Sequence, residues 1–181
     1  MKAILLFANG TEEVEALTPL DYLRRASVDT LFVGLSGREQ TGSHGIKITA
    51  DISLDELDAE CDFDMLVIPG GLPGTTNIEA SPKVQALISR AVNENKYLGA
   101  ICAAPMIFGK LGLLSGKEAI CYPGFEEYLS GAVISEKKAV RSGNIITARG
   151  AGAANEFALE LISALCGEKK AEEIGKAVQF L

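Results

Sequence analysis

Short apolar runs alternate with stretches of helical spacing along almost the whole chain. Residues 3–7, 65–68 and 97–101 are apolar runs of strand length, and a helical pattern follows each of them. Strands of a parallel sheet are buried on both faces, and continuous apolar runs are typical of them. The alternation therefore predicts an α/β fold with a mostly parallel sheet between two layers of helices, with ligands at the carboxyl ends of the strands.

The same reading assigns the remaining elements. Predicted strands are 3–7, 30–33, 46–50, 65–68, 97–101, 119–121, 139–141 and 145–147, and predicted helices are 12–26, 82–95, 103–113, 152–166 and 170–178. The alternating pattern of 46–50 indicates an edge strand, and Ser142-Gly143-Asn144 is a hairpin turn. No linker or repeat interrupts the pattern, so we expect a single domain over residues 1–181.

Cys102 lies where the run 97–101 ends and a helical pattern begins. Small residues surround it, among them Ala100 and Ala104. A nucleophile on such a strand-to-helix turn is held at a sharp corner, where small neighbours avoid a clash across the bend. The unpaired N–H groups of the following helix favour the thiolate, which is the reactive form. The sequence thus predicts a nucleophile elbow at Cys102, with a buried core cysteine as the alternative.

Two other loops fall at the same edge of the predicted sheet. Glu15 lies one turn after the start of the first helix. Gly70 and Gly71 follow strand 65–68, and because they have no side chains their backbone N–H groups can approach a reacting oxygen. The backbone N–H group of Ala103 is a further candidate donor to that oxygen. A carboxylate would repel a thiolate, so Glu15 fits this site only if it keeps its proton. Burial raises the pKa of a carboxyl group, whereas a helix terminus and a donated hydrogen bond bring a thiol pKa of ~8.5 below ~7.

Each of these signals has an ordinary alternative. Glu12 and Glu13 suit the solvated first turn of a helix, and Pro-Gly-Gly after a strand is often only a turn. His44 fits an exposed loop, and the segment RGAG at 149–152 is either an anion-binding helix start or a plain capped loop. The joint occurrence of three suitable loops at one edge favours a reactive site.

Charge and hydropathy exclude several classes of protein. Seventeen basic and twenty-four acidic residues give a net charge of −7, and no basic run appears, which argues against a nucleic-acid partner. No apolar stretch approaches the ~20 residues of a membrane helix, so we expect no membrane partner. The apolar run near the N-terminus is too short for a signal peptide.

Cysteine usage indicates a reducing compartment. Cys61, Cys102, Cys121 and Cys166 are widely spaced without a C-x-x-C pair, and His44 is the one histidine. This pattern predicts neither a disulfide framework nor a zinc site, although one histidine with carboxylates remains an open arrangement. We expect a cytoplasmic protein with no metal and no cofactor.

Four motifs, in this order, resemble those of the DJ-1/ThiJ/PfpI superfamily: FANGTEEVE (7–15), VIPGG (67–71), AICAAP (100–105) and RGAG with EFA (149–158). The resemblance covers essentially the whole chain and implies a flavodoxin-like α/β sandwich, usually a homodimer. It implies that Cys102 is an oxidation-prone cysteine and that Glu15 is the protonated glutamate bonded to it. Gly71 and Ala103 match oxyanion donors. His44 matches a position that often holds an arginine near the partner subunit's site.

The chain departs from the family pattern near the nucleophile. Ala103 stands where the peptidase branch has a histidine, and Tyr122 stands in the segment where the DJ-1 branch often has one. A cysteine–histidine couple is therefore missing at both places. Ala104 replaces a common glycine, a change that still fits the elbow.

Three functions follow from these residues and the resemblance. The first is a glyoxalase or deglycase acting on methylglyoxal or its adducts, with Cys102 as nucleophile and Glu15 as proton carrier. The second is a non-enzymatic redox sensor or chaperone whose Cys102 is oxidised by peroxide. A cysteine peptidase or amidase ranks last, because no histidine is placed to complete a triad. The small-molecule partner is accordingly a reactive carbonyl or a peroxide.

Overall fold

A seven-stranded sheet runs through the centre of the molecule. The computed structural model describes all 181 residues. Its strands are β1 (Lys2–Phe7), β2 (Asp29–Gly34), β3 (Glu39–Thr41), β4 (Lys47–Thr49), β5 (Ile52–Ser53), β6 (Met65–Ile68), β7 (Tyr97–Ile101), β8 (Glu118–Ala119), β9 (Val133–Ile134), β10 (Ala139–Ser142) and β11 (Ile145–Ala148). The order in the central sheet is β10-β11-β7-β6-β1-β2-β5, and every neighbouring pair is parallel except β10 with β11.

Helices cover both faces of this sheet, as the alternation predicts. They are α1 (Glu13–Arg25), α2 (Gly74–Glu79), α3 (Pro82–Asn93), α4 (Pro105–Lys110), α5 (Ala154–Cys166) and α6 (Glu168–Ala177). One apolar core lies between the sheet and α2, α3 and α4, and the other lies between the sheet and α1, α5 and α6. Successive side chains of β1 alternate between the two, with Leu6 in the first core and Phe7 in the second. None of the six helices combines the length and the apolar character that a membrane crossing requires.

Three predicted elements are shorter in the structure than in the prediction. Strand 46–50 is the three-residue β4, which pairs with β3 in a separate two-stranded sheet, and strand 119–121 is reduced to β8, which pairs with β9. Helix 103–113 is reduced to α4, because residues 102–104 form the turn and Gly112 has a φ of +72° just after the helix. The predicted hairpin between β10 and β11 is confirmed.

The start of α1 also differs in detail from the prediction. The N-cap is Glu12, whose carboxylate accepts the Val14 N–H at 3.3 Å. The Thr11 hydroxyl, one residue earlier, accepts the Ala8 N–H at 3.0 Å, which tightens the turn after β1. This loop brings the first turn of α1 over the carboxyl end of β1, beside the ends of β6 and β7.

Candidate active site

Cys102 occupies the sharp turn between β7 and α4. Its φ of +64° lies in the left-handed region, a conformation that costs an L residue with a side chain on the order of 1–3 kcal/mol. The strain is held by flanking hydrogen bonds, since the Cys102 N–H donates to Ala148 O at 2.9 Å and Tyr122 N–H donates to Cys102 O at 2.8 Å. The thiol is half-buried. The predicted nucleophile elbow is therefore present.

Glu15 lies almost completely buried beside this turn. Its side chain belongs to α1 and is 1% exposed. The Gly70 N–H donates to Oε2 at 3.0 Å, and hydrogen bonding from the nearby Cys102 thiol and Ala151 N–H lowers the pKa of the carboxyl group. The structure thus brings together the cysteine and the glutamate that the sequence predicts as a pair.

Gly70 holds this pair together. A Cβ added at Gly70 would stand 2.5 Å from both the Cys102 Cβ and the Glu15 Oε2. A glycine is required here because the two functional groups meet at its Cα. The prediction of an oxyanion role for Gly70 is wrong, since its N–H is already bonded to Glu15. Gly70 positions the carboxyl group instead.

The backbone N–H groups of Gly71 and Ala103 face the Cys102 sulfur. Hydrogen bonding from these two N–H groups lowers the pKa of the thiol. Gly71 has a φ of +87°, and a Cβ there would stand 2.3 Å from the Glu12 nitrogen. The loop can aim this N–H at the sulfur only because it carries glycine at this position.

The titrations of Glu15 and Cys102 are coupled, since each group shifts the pKa of the other. Burial and the nearby Glu12 charge together raise the pKa of Glu15 to about 7, against the opposing effect of hydrogen bonds from Cys102, Gly70 and Ala151. Burial also raises the pKa of Cys102 to about 12, together with the charge and hydrogen bond of Glu15. The expected thiol pKa below ~7 applies to a protonated Glu15 that donates to the sulfur, whereas the value of about 12 includes the charge of ionised Glu15, so that expectation stays a prediction. A thiolate requires that Glu15 hold the proton, because two adjacent buried anions repel one another.

This raised carboxyl pKa makes folding stability depend on pH. A group whose pKa is higher in the folded chain stabilises the fold below its unfolded value near 4.5, and this contribution is lost as the pH rises through about 7. Glu15→Gln removes the titration, so its free energy of unfolding should rise relative to the parent by up to about 3 kcal/mol between about pH 4.5 and pH 8. Urea unfolding at both pH values measures this difference.

Glu60→Gln provides the control, since it removes an exposed carboxyl group. A Glu15→Gln difference that stays constant across this pH interval would contradict a raised pKa at Glu15.

His44 lies apart from the sulfur, in the loop between β3 and β4. Its side chain is 71% exposed, and its Nδ1 lies 3.0 Å from Glu13 Oε2. The Glu13 hydrogen bond and the charges of Glu13 and Glu12 raise the pKa of His44. Burial raises the pKa of Glu13, but hydrogen bonds from His44 and from the backbone N–H groups of His44 and Ile46 outweigh it and lower this pKa to about 2. Glu13 thus anchors the loop. The cross-dimer role of His44 stays a prediction.

Glu12, Glu13 and His44 are the residues that could hold a metal ion. Each offers one ligand atom, and these atoms lie within 4.8 Å of one another. Most of their polar atoms already have partners in the chain, since His44 and Ser43 bond Glu13 and the Val14 N–H bonds Glu12. Glu13 and His44 contact one another because Glu13 holds the loop between β3 and β4 in place, so these contacts do not require a metal ion. The absence of a metal stays a prediction.

Tyr122 borders the site through both its backbone and its ring. Its ring is half exposed and packs edge-on against Phe125 at 6.5 Å between centroids. A Cβ added at Gly150 would stand 3.2 Å from Tyr122 Cδ2 and 3.8 Å from Glu15 Oε1. The sequence pattern does not connect the RGAG loop with the site, whereas the structure places Gly150 and Ala151 against Glu15. The one indication in the sequence is the glycine at position 150, because a residue without a side chain permits this close approach.

The protein is an α/β protein with a cysteine nucleophile elbow. This class is defined by the order of strands in the sheet, by the left-handed backbone conformation of Cys102 after β7, and by the Glu15 carboxyl group beside the thiol. The chain belongs to the DJ-1/PfpI family, whose model matches residues 1–164, and its fold is the flavodoxin-like sandwich of that family.

Known relatives match the chain over nearly its full length. Protein dj-1beta from Drosophila melanogaster is 36% identical over 179 residues, which cover 97% of this chain and 95% of the relative. A protein from Caenorhabditis elegans named glutathione-independent glyoxalase DJR-1.2 is 29% identical over 174 residues, covering 96% and 92%. The solved structure of oxidized DJ-1 from Toxoplasma gondii superposes with a TM-score of 0.94 at 29% identity and covers 99% of this chain and 98% of that one.

Proposed function

We propose that the protein is a cysteine-dependent enzyme that acts on small reactive dicarbonyls, as a glyoxalase or a deglycase. The observation that carries the proposal is the contact of a buried carboxyl group, with a pKa of about 7, and a half-buried thiol on a strained turn. A carboxyl group with a pKa near the working pH can both give and take protons. The relative from Caenorhabditis elegans that is named a glyoxalase supports this class of reaction.

The first step joins the sulfur to the substrate. The Cys102 thiolate adds to the aldehyde carbon of methylglyoxal, and a C–S bond forms while the π electron pair moves to the carbonyl oxygen. Gly71 and Ala103 N–H groups stabilise the charge on this oxygen, and Glu15 gives it a proton. The product is a hemithioacetal, and Glu15 is left ionised.

The second step moves hydrogen within the adduct. Glu15 takes the proton from the former aldehyde carbon, a proton passes between the two oxygens, and Glu15 returns its proton to the neighbouring carbon. The result is a thioester of Cys102. Water then cleaves the C–S bond with Glu15 as base, which releases lactate, restores the thiolate and leaves Glu15 protonated. Overall, methylglyoxal and water become lactate and a proton, with no added oxidant or thiol cofactor. In deglycase action the thiolate would displace the amine or thiol from the carbinol carbon of an early glyoxal adduct, so that a C–S bond to Cys102 forms as the C–N or C–S bond of the adduct breaks. Glu15 gives its proton to the leaving group, which departs as the free amine or thiol, and the same hemithioacetal of Cys102 results.

Methylglyoxal consumption and lactate production, measured without glutathione, test this proposal. We expect equal molar amounts of both. Since no histidine assists Cys102, we expect modest turnover. Methylglyoxal loss without any lactate would reject the glyoxalase reaction and leave only adduct formation.

The same geometry supports a second function, as a redox sensor or chaperone. Two peroxide molecules would each transfer one oxygen to the Cys102 sulfur and leave as water, which gives a sulfinate. The two N–H donors that face the sulfur and the proton on Glu15 would stabilise that anion. The oxidized state named for the Toxoplasma gondii structure supports this reading.

Mild peroxide treatment should therefore add two oxygens to Cys102 before any other cysteine. Cys121 is buried, and neither Cys61, which is half-buried like Cys102, nor the exposed Cys166 lies on a left-handed turn beside a buried carboxyl group. Peptide mass spectrometry measures the extent of oxidation at each thiol. Equal oxidation of Cys102 and Cys166 would mean that the site does not select for this chemistry.

We further propose a cytoplasmic homodimer. Val14 and Leu17 lie one turn apart on α1 and are 48% and 37% exposed, and Ile46 in the neighbouring loop is 54% exposed. Such adjacent apolar side chains favour burial against a second copy. Light scattering after gel filtration should give twice the 19.1 kDa chain mass. A monomer at all concentrations would contradict the dimer.

A further inference from the structure

A cavity of about 530 Å³ opens beside the candidate active site. Tyr122, Lys138 and Arg149 line it together with the turn 150–153. The same turn forms part of the wall around Glu15, because a Cβ added at Gly150 would stand 3.8 Å from Glu15 Oε1. The cavity therefore adjoins the carboxyl group that pairs with Cys102.

Arg149 is the uncompensated positive charge in this cavity. Lys138 also lines it, but its Nζ lies 2.6 Å from Glu156 Oε1, so a carboxylate offsets that charge. The side chain of Arg149 takes part in no hydrogen bond or ion pair of the chain, and its backbone N–H donates to Lys138 O at 2.9 Å. In a protein with a net charge of −7, an unpaired arginine in a concave wall is suited to a ligand of opposite charge.

The surrounding backbone also favours an anion. The turn 150–153 leads directly into the thirteen-residue helix α5, whose N-terminus carries a partial positive charge. Glycines at 150 and 152 leave this part of the wall without side chains. The cavity therefore combines a guanidinium group, a helix N-terminus and open backbone, and it adjoins the wall of the Glu15 site.

We infer that this cavity binds an anionic group, a carboxylate or a phosphate, of the carbonyl compound that reacts at Cys102, with Arg149 as its main contact. The inference rests on the proposed function and narrows its substrate class. Oxoaldehydes and oxo acids that carry a negative charge would be preferred over neutral dicarbonyls of similar size. Arg149 would determine specificity and would not take part in bond making.

Two alkylating reagents of similar size test the inference without any turnover. Iodoacetate is an anion and iodoacetamide is neutral, and each forms one S–C bond at Cys102 while iodide leaves. The rate with iodoacetate divided by the rate with iodoacetamide at Cys102 is measured by mass spectrometry at physiological ionic strength. This ratio should fall about tenfold in Arg149→Gln. Arg149→Lys should retain part of the preference, because it keeps the charge and loses the planar donor pair.

Arg141→Gln is the matched control. Arg141 is another exposed arginine without an ion pair, on β10, and its loss makes the same change in net charge. The ratio should change by less than about twofold in this variant. An equal fall in Arg141→Gln and Arg149→Gln, or no fall in Arg149→Gln, would overturn the inference.

Competition experiments identify the anionic group. Acetate and inorganic phosphate, each at millimolar concentration, should slow iodoacetamide alkylation of Cys102 in the parent and not in Arg149→Gln, and the stronger competitor identifies the preferred group. Protection by neither anion would overturn the inference. Protection in a protein that converts no dicarbonyl would keep the anion site and overturn the proposed function.

Discussion

Cys102→Ser should reduce lactate production from methylglyoxal to the background rate, a loss on the order of a thousandfold or more. A serine hydroxyl is a far weaker nucleophile than a thiolate, and this site contains no histidine to activate it. The left-handed turn and the neighbouring contacts remain, since serine replaces one atom. The measurement is lactate formed per mole of protein, with circular dichroism to establish that the variant is folded.

Cys166→Ser makes the same chemical change at the exposed end of α5. It should retain parental activity within about twofold. Turnover by Cys102→Ser comparable with that of Cys166→Ser would show that the elbow cysteine is not the nucleophile. The cysteine mechanism would then be abandoned even if lactate forms.

The pattern of apolar residues predicted the central strands of the sheet better than the short elements at its edges. The runs 65–68 and 97–101 became β6 and β7 with the predicted bounds, because fully buried strands leave an unbroken apolar signal. The two-residue β5 and the three-residue β3 carry no such signal, since partners distant in sequence determine their pairing. The six-residue α2 was missed for a related reason, as it directly follows the glycine loop and is too short for a periodic pattern.

The sequence predicts which residues form the candidate site, but it does not predict their pKa values or their hydrogen-bond partners. Cys102 and Glu15 meet because parallel strands bring their carboxyl ends to one edge, a consequence of alternation in the sequence. Burial is a property of the assembled fold, and it raises the pKa of both groups. The use of the Gly70 N–H for Glu15 and the approach of Gly150 likewise depend on contacts between loops far apart in sequence.

Glu15→Gln separates the two roles of the carboxyl group. The amide can donate a hydrogen bond to the sulfur, but it can neither give nor take a proton. We therefore expect turnover of methylglyoxal to fall on the order of 10²- to 10³-fold, the usual contribution of general acid–base catalysis. Alkylation of Cys102 by iodoacetamide near neutral pH should remain within about tenfold of the parent or increase, because the charge that raises the thiol pKa is gone.

The pH profile of alkylation adds a readout that misfolding would not reproduce. In the parent, the thiol and the carboxyl group titrate as a pair, so the profile should show the influence of a second group near pH 7. In Glu15→Gln it should follow a single ionisation. Glu12→Gln is the control, since its amide oxygen can still accept the Val14 N–H at the start of α1. Its turnover should fall by less than about fivefold. A parallel loss of alkylation and turnover in Glu15→Gln would show that Glu15 only supports the thiolate. Proton transfer to the substrate would then need another group.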